Sequence, residues 1–285
     1  VSESFAALLT ESEKLARVAD SIGNAYALEL GRVLRDLERE LRALATGALD
    51  GTPSALTRAV RGAKLRREIQ KALRTAGYDQ LTETATSVPL NRLVEQMGKL
   101  RGAAKLSAFT STDQTRILAL QELAKIDLLG AGDETAQALW RTLAQGIYSQ
   151  RDVKALLEDL GDAVDLEETQ LRRLYNTTLS IFTRQLEAMK SGASDVFIYV
   201  GPVDERLRPF CRGHVGKVYT RAQIDALDNG QLPNTFLTGG GWNCRHVWHA
   251  VSKFSEAREL AGTGKRLPEV EAAIAALPPG GRKAA

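Results

Sequence analysis

The chain has 285 residues, with 44% hydrophobic and 26% charged, so it can bury a core in one large or two ordinary domains. Lys+Arg exceed Asp+Glu by only 38 − 35 = 3, too few to mark nucleic-acid binding, and 6% aromatics argue against an all-β sandwich or a base-stacking surface. No apolar run approaches the ~18 residues of a membrane span, and the first nine residues lack the basic start and apolar core of a secretion signal, so neither is expected.

Up to about residue 191 the periodicity is helical. Residues 5–20 and 22–44 read as two stretches, the second carrying Leu28, Val33, Leu37, Leu41 and Leu44 at spacings of three to five. Thr46-Gly47 and Asp50-Gly51-Thr52-Pro53 break it, and Pro53 is placed to open a helix over 54–76 that Gly77 ends. Val88-Pro89 starts another, near 90–100. Ser111-Thr112-Asp113 reads as an N-cap for 114–129, with Gly130 and Gly132 at its end. Residues 134–148 and 151–160 are shorter helices, and 165–190 is a long one that stops at Ser191-Gly192.

The character then changes. Val196-Phe197-Ile198-Tyr199-Val200 is the clearest strand, bounded by Asp195 and Gly201-Pro202. Residues 217–219 form a short strand, and 220–227 a helix with Thr220 at the N-cap and Gln223 three residues on. Gly239-Gly240-Gly241 precedes a β-like run at 245–251. Helices follow near 255–260 and 268–277, and 278–285 reads as a tail. The fold class is therefore mainly α with a small C-terminal α+β module: a helical body, then a short-stranded module that contains every Cys and His.

Those five residues are Cys211, His214, Cys244, His246 and His249, all inside 39 residues. Cys211-x-x-His214 can aim two ligands at one point from a tight turn. Cys244-x-His246 places two on one side of an extended segment, because strand side chains alternate. Two sulfurs and two imidazole nitrogens make a closed, structural zinc set. His249 points to the other face of such a strand and is a reserve ligand. Two readings stand beside zinc: reduced residues without metal, and a Cys211–Cys244 disulfide, which no secretion signal favours.

At these residues the chain resembles a known family. Phe197-Ile198-Tyr199-Val200-Gly201-Pro202-Val203-Asp204-Glu205-Arg206, Arg208-Pro209-Phe210-Cys211-Arg212, Gly216-Lys217-Val218-Tyr219 and Gly239-Gly240-Gly241-Trp242-Asn243-Cys244-Arg245-His246-Val247-Trp248 together resemble the C-terminal module of phage Mu F-type minor head proteins, the head-morphogenesis family of tailed bacteriophages. The upstream helices, with Arg172-Arg173 and Thr177-Thr178, are similar to the helical part of that domain, so the resemblance covers roughly 139–251. Many relatives carry Pro-x-His…Cys-Arg-Cys; here Cys244-Arg245-His246 follows a glycine run, as in the subgroup nearest the Mu protein.

The resemblance implies a minor virion component in the head interior or at the portal, assembled in the host cytoplasm. Its partners would be portal or major capsid protein and packaged DNA, with no membrane. Its roles would be head assembly and DNA packaging or ejection. It divides the chain into a helical body at 1–138, the helical part of the head-morphogenesis domain at 139–192, the Cys/His module at 193–267, and a C-terminal helix and tail at 268–285. The expectation is a non-enzymatic assembly protein; the alternative is a metal-dependent nuclease or toxin-like hydrolase.

Other constellations are weaker. Arg58, Arg61, Lys64, Arg66, Arg67, Lys71 and Arg74 face a single acid, Glu68, within 58–74. Lys64, Arg67, Lys71 and Arg74 share one helix side, as a contact for DNA phosphates or an acidic portal surface, or as a plain solvated face. Asp204, Glu205, Arg206 and Arg208 precede Cys211. A hydrolytic role would pair the carboxylates with metal-bound water, whereas a charged turn would have Asp204 accept backbone bonds and pair with Arg245. No third group completes a Cys–His catalytic pair, and there is no phosphate loop. Trp242 and Trp248 are expected to cover the Cys/His site.

Overall fold

The computed structural model describes residues 3–49, 55–149 and 152–277, with side chains for all of these except 3, 4, 47–49, 55–63 and 148. Six helices come first: α1 (Glu3–Leu49), α2 (Ala55–Thr75), α3 (Tyr78–Thr86), α4 (Val88–Ala103), α5 (Ser111–Tyr148) and α6 (Val153–Lys190). The module follows as β1 (Val196–Val200), α7 (Pro209–His214), β2 (Val218–Thr220), α8 (Arg221–Asp225), α9 (Thr235–Thr238), β3 (Val247–Ala250), α10 (Ala257–Leu260) and α11 (Pro268–Ala275). This is the mainly α chain with a small C-terminal sheet that the sequence led us to expect. Among the described residues, no helix is long and apolar enough to cross a membrane. Pro53, the side chains of Arg58 and Arg61, and the tail 278–285 lie outside the described residues.

Several breaks read from the sequence are absent. α1 and α6 are continuous, and α5 runs through both Gly130 and Gly132. A lone glycine costs a helix only about 1 kcal/mol, less than a buried stripe supplies. At Gly132 the glycine serves packing: a Cβ there would lie 2.3 Å from Tyr78 Cε1. Tyr78 opens α3, a helix the periodicity did not reveal, and its hydroxyl donates to the Leu128 carbonyl at 2.7 Å. In α1 the buried stripe is Leu30, Leu34, Leu37 and Leu41. Leu28, assigned to it by spacing, is 71% exposed, because two residues from Leu30 is about 200° of rotation.

The chain packs as two compact units, one of Val1–Ile22, Val88–Glu122 and Asn176–Ala285, the other of Gly23–Ser87 and Leu123–Tyr175. Three of their boundaries fall inside α1, α5 and α6, and the fourth lies between α3 and α4. In the second unit Tyr26 stacks on Tyr175 with centroids 3.8 Å apart, and Tyr175 donates to the Ala85 carbonyl at 2.9 Å. Buried Glu167 accepts from Thr135 at 2.8 Å, and burial raises its pKa.

The first unit holds the sheet. Its three strands are antiparallel in the order β2-β1-β3, and every residue of β1 is buried, which explains its unbroken apolar run. Register pairs Phe197 with Tyr219 and Ala250, Ile198 with His249, and Tyr199 with Trp248. The Thr220/Gln223 capping box forms as expected at α8. Phe5 of α1 meets Phe254 edge-on at 4.7 Å.

The end of α6 anchors this sheet through Thr177, Arg184 and Glu187, which share one side of the helix. Thr177 accepts the Asn243 N–H at 3.0 Å. Glu187, fully buried, lies 3.0 Å from Arg101 Nη1 of α4 and 2.9 Å from His249 Nδ1, and it accepts the Ala250 N–H at 3.0 Å. Burial alone would raise the Glu187 pKa, but His249 and Arg101 outweigh it and hold the carboxyl below its ordinary 4.5. A depressed carboxylate stabilises the fold above its unfolded pKa, and that contribution is lost as pH falls through the folded value. Glu187→Gln is therefore expected to cost about 3–5 kcal/mol near neutral pH, because it leaves Arg101 buried and unpaired. Urea unfolding at a series of pH values checks this: the deficit relative to wild type should shrink under acid conditions.

Candidate metal centre

Four segments of the first unit converge on one buried point. β1 brings Tyr199 in its centre. α7 brings Cys211, starting with Pro209 in the first helical turn, where proline's fixed φ is already suitable. The turn after α9 brings Gly239 and Gly240, and the extended approach to β3 brings Cys244 and His246.

Cys211, Cys244 and His246 are 2%, 1% and 3% exposed, and their ligand atoms lie within 4.8 Å of one another; the group could hold a metal ion. The two sulfurs are 3.8 Å apart and unbonded. Two thiolates about 2.3 Å from one tetrahedral ion stand about 3.8 Å apart, so the spacing fits a shared metal and not a disulfide. The Nε2 atom of His246 is buried with no hydrogen-bond partner among the described residues, a costly state for an imidazole unless something binds it.

The backbone of the glycine turn closes over the sulfurs. Gly240 donates its N–H to Cys244 Sγ at 3.1 Å, and a Cβ there would lie 2.6 Å from Cys211 Sγ. Gly239 has φ +57, and a Cβ would meet the Arg184 guanidinium at 2.7 Å. Gly239 and Gly240 are thus required by close approach to this site, whereas Gly241, at φ +87, packs against Gln231.

Arg184 supplies the charge. It is 1% exposed, and all its hydrogen bonds go to carbonyls: Nε and Nη2 to His246 at 3.0 and 2.6 Å, Nη2 to Cys244 at 2.9 Å, Nη1 to Leu237 at 3.1 Å. Burial opposes ionisation of Cys244, but a hydrogen bond from Cys211 and the Arg184 charge outweigh it and push the thiol well down. The Cys211 pKa is raised by that same hydrogen bond and by burial.

Other residues singled out by sequence fall elsewhere. His214 does not join the group. It sits at the end of α7, a short helix where a tight turn was expected, and its Nδ1 is 2.7 Å from the Tyr219 hydroxyl of β2. His249 faces away, toward Glu187, as strand alternation requires. Arg245 points outward and binds Asp204 with two bonds of 2.7 and 2.6 Å. Those bonds and Arg206 hold the Asp204 carboxyl down against the raising effect of burial. Asp204 also accepts the Arg206 N–H, and Asp20 of α1 binds Arg206 at 2.7 Å. Trp248 is fully buried and stacks at 4.2 Å on Tyr199, whereas Trp242 is half-buried. In the second unit Lys64, Arg67, Lys71 and Arg74 are exposed along α2, opposite buried Leu65, Ile69 and Leu73.

Tyr199 and Arg184 were not marked as site residues by the sequence. Tyr199 reads as one more apolar strand position, and a buried arginine is rare enough that helical periodicity cannot announce it. A pocket beside Cys244 and His246, lined by Leu15, Leu179 and Val247 among others, has a volume of about 20 Å³, room for a water and not for an organic substrate. The chain matches no protein-family model, no curated protein and no solved structure.

The glycine packing gives a paired test. Gly240→Ala should destabilise the first unit by about 1–3 kcal/mol through overpacking against Cys211. Gly213→Ala, in α7 with nothing within 4 Å of the added Cβ, should be neutral or stabilise by a few tenths of a kcal/mol. Equilibrium unfolding of both variants checks the contrast.

Proposed function

We propose that the chain is a minor head protein of a tailed bacteriophage, a non-enzymatic virion component that docks to portal or capsid protein through its helices and is clamped at its C-terminal module by structural zinc. What supports this reading is that the separated pieces of the family-like motif act together as one folding unit. Asp204 meets Arg245, Cys211 meets Cys244, and the glycine run covers both sulfurs. These contacts hold the module together. Asp204, the carboxylate a hydrolytic reading would use, is engaged by Arg245 and Arg206.

Zinc suits a donor set of two thiolates and an imidazole in a buried place with no room for substrate. Cys211, Cys244 and His246 would hold it, and the ion would add to stability by binding only the folded module. Metal analysis of protein purified without chelator should give about one zinc per chain. Cys244→Ala should lose it with most helical signal intact, since α1–α6 lie outside the module, and His214→Ala should keep it.

The test of the assembly reading is copurification with a portal ring or procapsid. The protein should sediment with such particles, and particles assembled without it should show defects in packaging, stability or DNA delivery. Fully infectious particles lacking it would refute the assignment.

The exposed stripe on α2 is read as the electrostatic contact with packaged DNA. Binding to duplex DNA should weaken steeply with salt, and neutralising Arg67, Lys71 or Arg74 should each lower the salt slope by about one unit. Salt-independent binding, or none, would leave the stripe a solvated helix face.

A further inference from the structure

The sulfur and imidazole donors account for three positions of a tetrahedral site. A fourth donor, an oxygen, already stands beside them. Tyr199 Oη lies 3.1 Å from Cys244 Sγ and 3.6 Å from Cys211 Sγ, and the Tyr199 ring stacks on the His246 ring with centroids 5.2 Å apart. An oxygen about 2.0 Å and a sulfur about 2.3 Å from one tetrahedral ion are about 3.5 Å apart, between the two distances seen. The hydroxyl is held there from every side: Tyr199 is fully buried in the central strand, paired with Trp248 across β3 and edge-on to Phe210 of α7.

We infer that Tyr199 is the fourth ligand of the metal centre, its phenolate oxygen completing a Cys211–Cys244–His246–Tyr199 set. This rests on the zinc reading above. Four protein donors close the site, so no coordination position is left for water or substrate.

Burial and the two cysteines push the Tyr199 hydroxyl pKa up, and Arg184 pulls it down; a bound divalent ion adds the charge that a phenolate needs, and the balance of charge then suits the set. Arg184 is a buried cation without a carboxylate partner among the described residues, and its four hydrogen bonds all go to carbonyls. A divalent ion with two thiolates and one phenolate carries a net charge of minus one, which the Arg184 guanidinium cancels. With water in place of the phenolate, the ion and both thiolates are already neutral, and Arg184 stays uncompensated in the core. On metal binding the phenol proton leaves to solvent together with those of the thiols.

The experiment is a titration of the metal-free full chain with zinc chloride, followed by near-ultraviolet difference absorption and by competition with a chromophoric chelator. The expected result is a red-shifted tyrosinate band that saturates at one equivalent of zinc, is absent from Tyr199→Phe, and persists in His214→Ala. Tyr199→Phe should also bind zinc at least about tenfold more weakly. Stoichiometric zinc uptake by wild type without a tyrosinate band overturns Tyr199 as a ligand while leaving the zinc centre standing. Undiminished affinity in Tyr199→Phe does the same. The wild-type band needs no variant to fold, so a misfolded Tyr199→Phe does not decide the matter. If wild type takes up no zinc at all, the zinc reading fails and this inference with it.

Discussion

A guanidinium can remain in a protein core only if its five N–H donors find acceptors and its charge finds an opposite. Arg184 makes four such bonds, to the carbonyls of Leu237, Cys244 and His246. Those three carbonyls belong to the segment that carries the glycine turn and two of the metal-competent side chains, so one residue of α6 sets the path of the backbone around the site. The second condition then acts on chemistry. Cys244 can carry negative charge, and the field of Arg184 helps to lower its pKa. A lowered thiol pKa favours the thiolate form that binds a metal. Glu187, one turn further along α6, mirrors the arrangement with opposite sign on the other face of the sheet, where a buried carboxylate is answered by Arg101 and His249.

These two buried ions show what sequence reading could and could not reach. The strand Val196–Val200, the capping box at Thr220 and the order of the later elements follow from local chemistry, which is written into neighbouring residues. The same holds for the convergence of Cys211, Cys244 and His246, since thiols and imidazoles confined to a short window have few other reasons to gather. Arg184 and Glu187 lie in a helix with many charged residues, and nothing local separates a buried charge from a solvated one. Their partners, Cys244, His246 and Ala250, are 60 or more residues away. Long-range pairing of this kind becomes visible only once the chain has folded.

The misread helix ends have a related cause. Glycine can punctuate a helix, yet at Gly132 its other property, lack of a side chain, is what α5 uses against Tyr78, while Gly130 has open space around it. His214 illustrates the same limit for spacing rules. Three residues from Cys211 would serve a metal from a turn, but Pro209 starts a helix and the imidazole is carried toward Tyr219 on β2. Spacing describes reach, and the element decides direction.

The distribution of charge around the module bears on what kind of protein this is. Hydrolytic sites keep a carboxylate or a water free beside the metal so that it can take a proton. Here Asp204 is turned outward and bound to Arg245 and Arg206, with Asp20 of α1 completing the cluster. Arg245 sits between two metal-competent residues yet spends its charge on that outer cluster, so the strand segment 244–246 is held on both sides: by sulfur and imidazole within, by ion pairs without. A segment restrained on both faces resists local opening. The exposed basic residues of α2 lie in the other unit, where Arg74 stands 3.8 Å from Asp79.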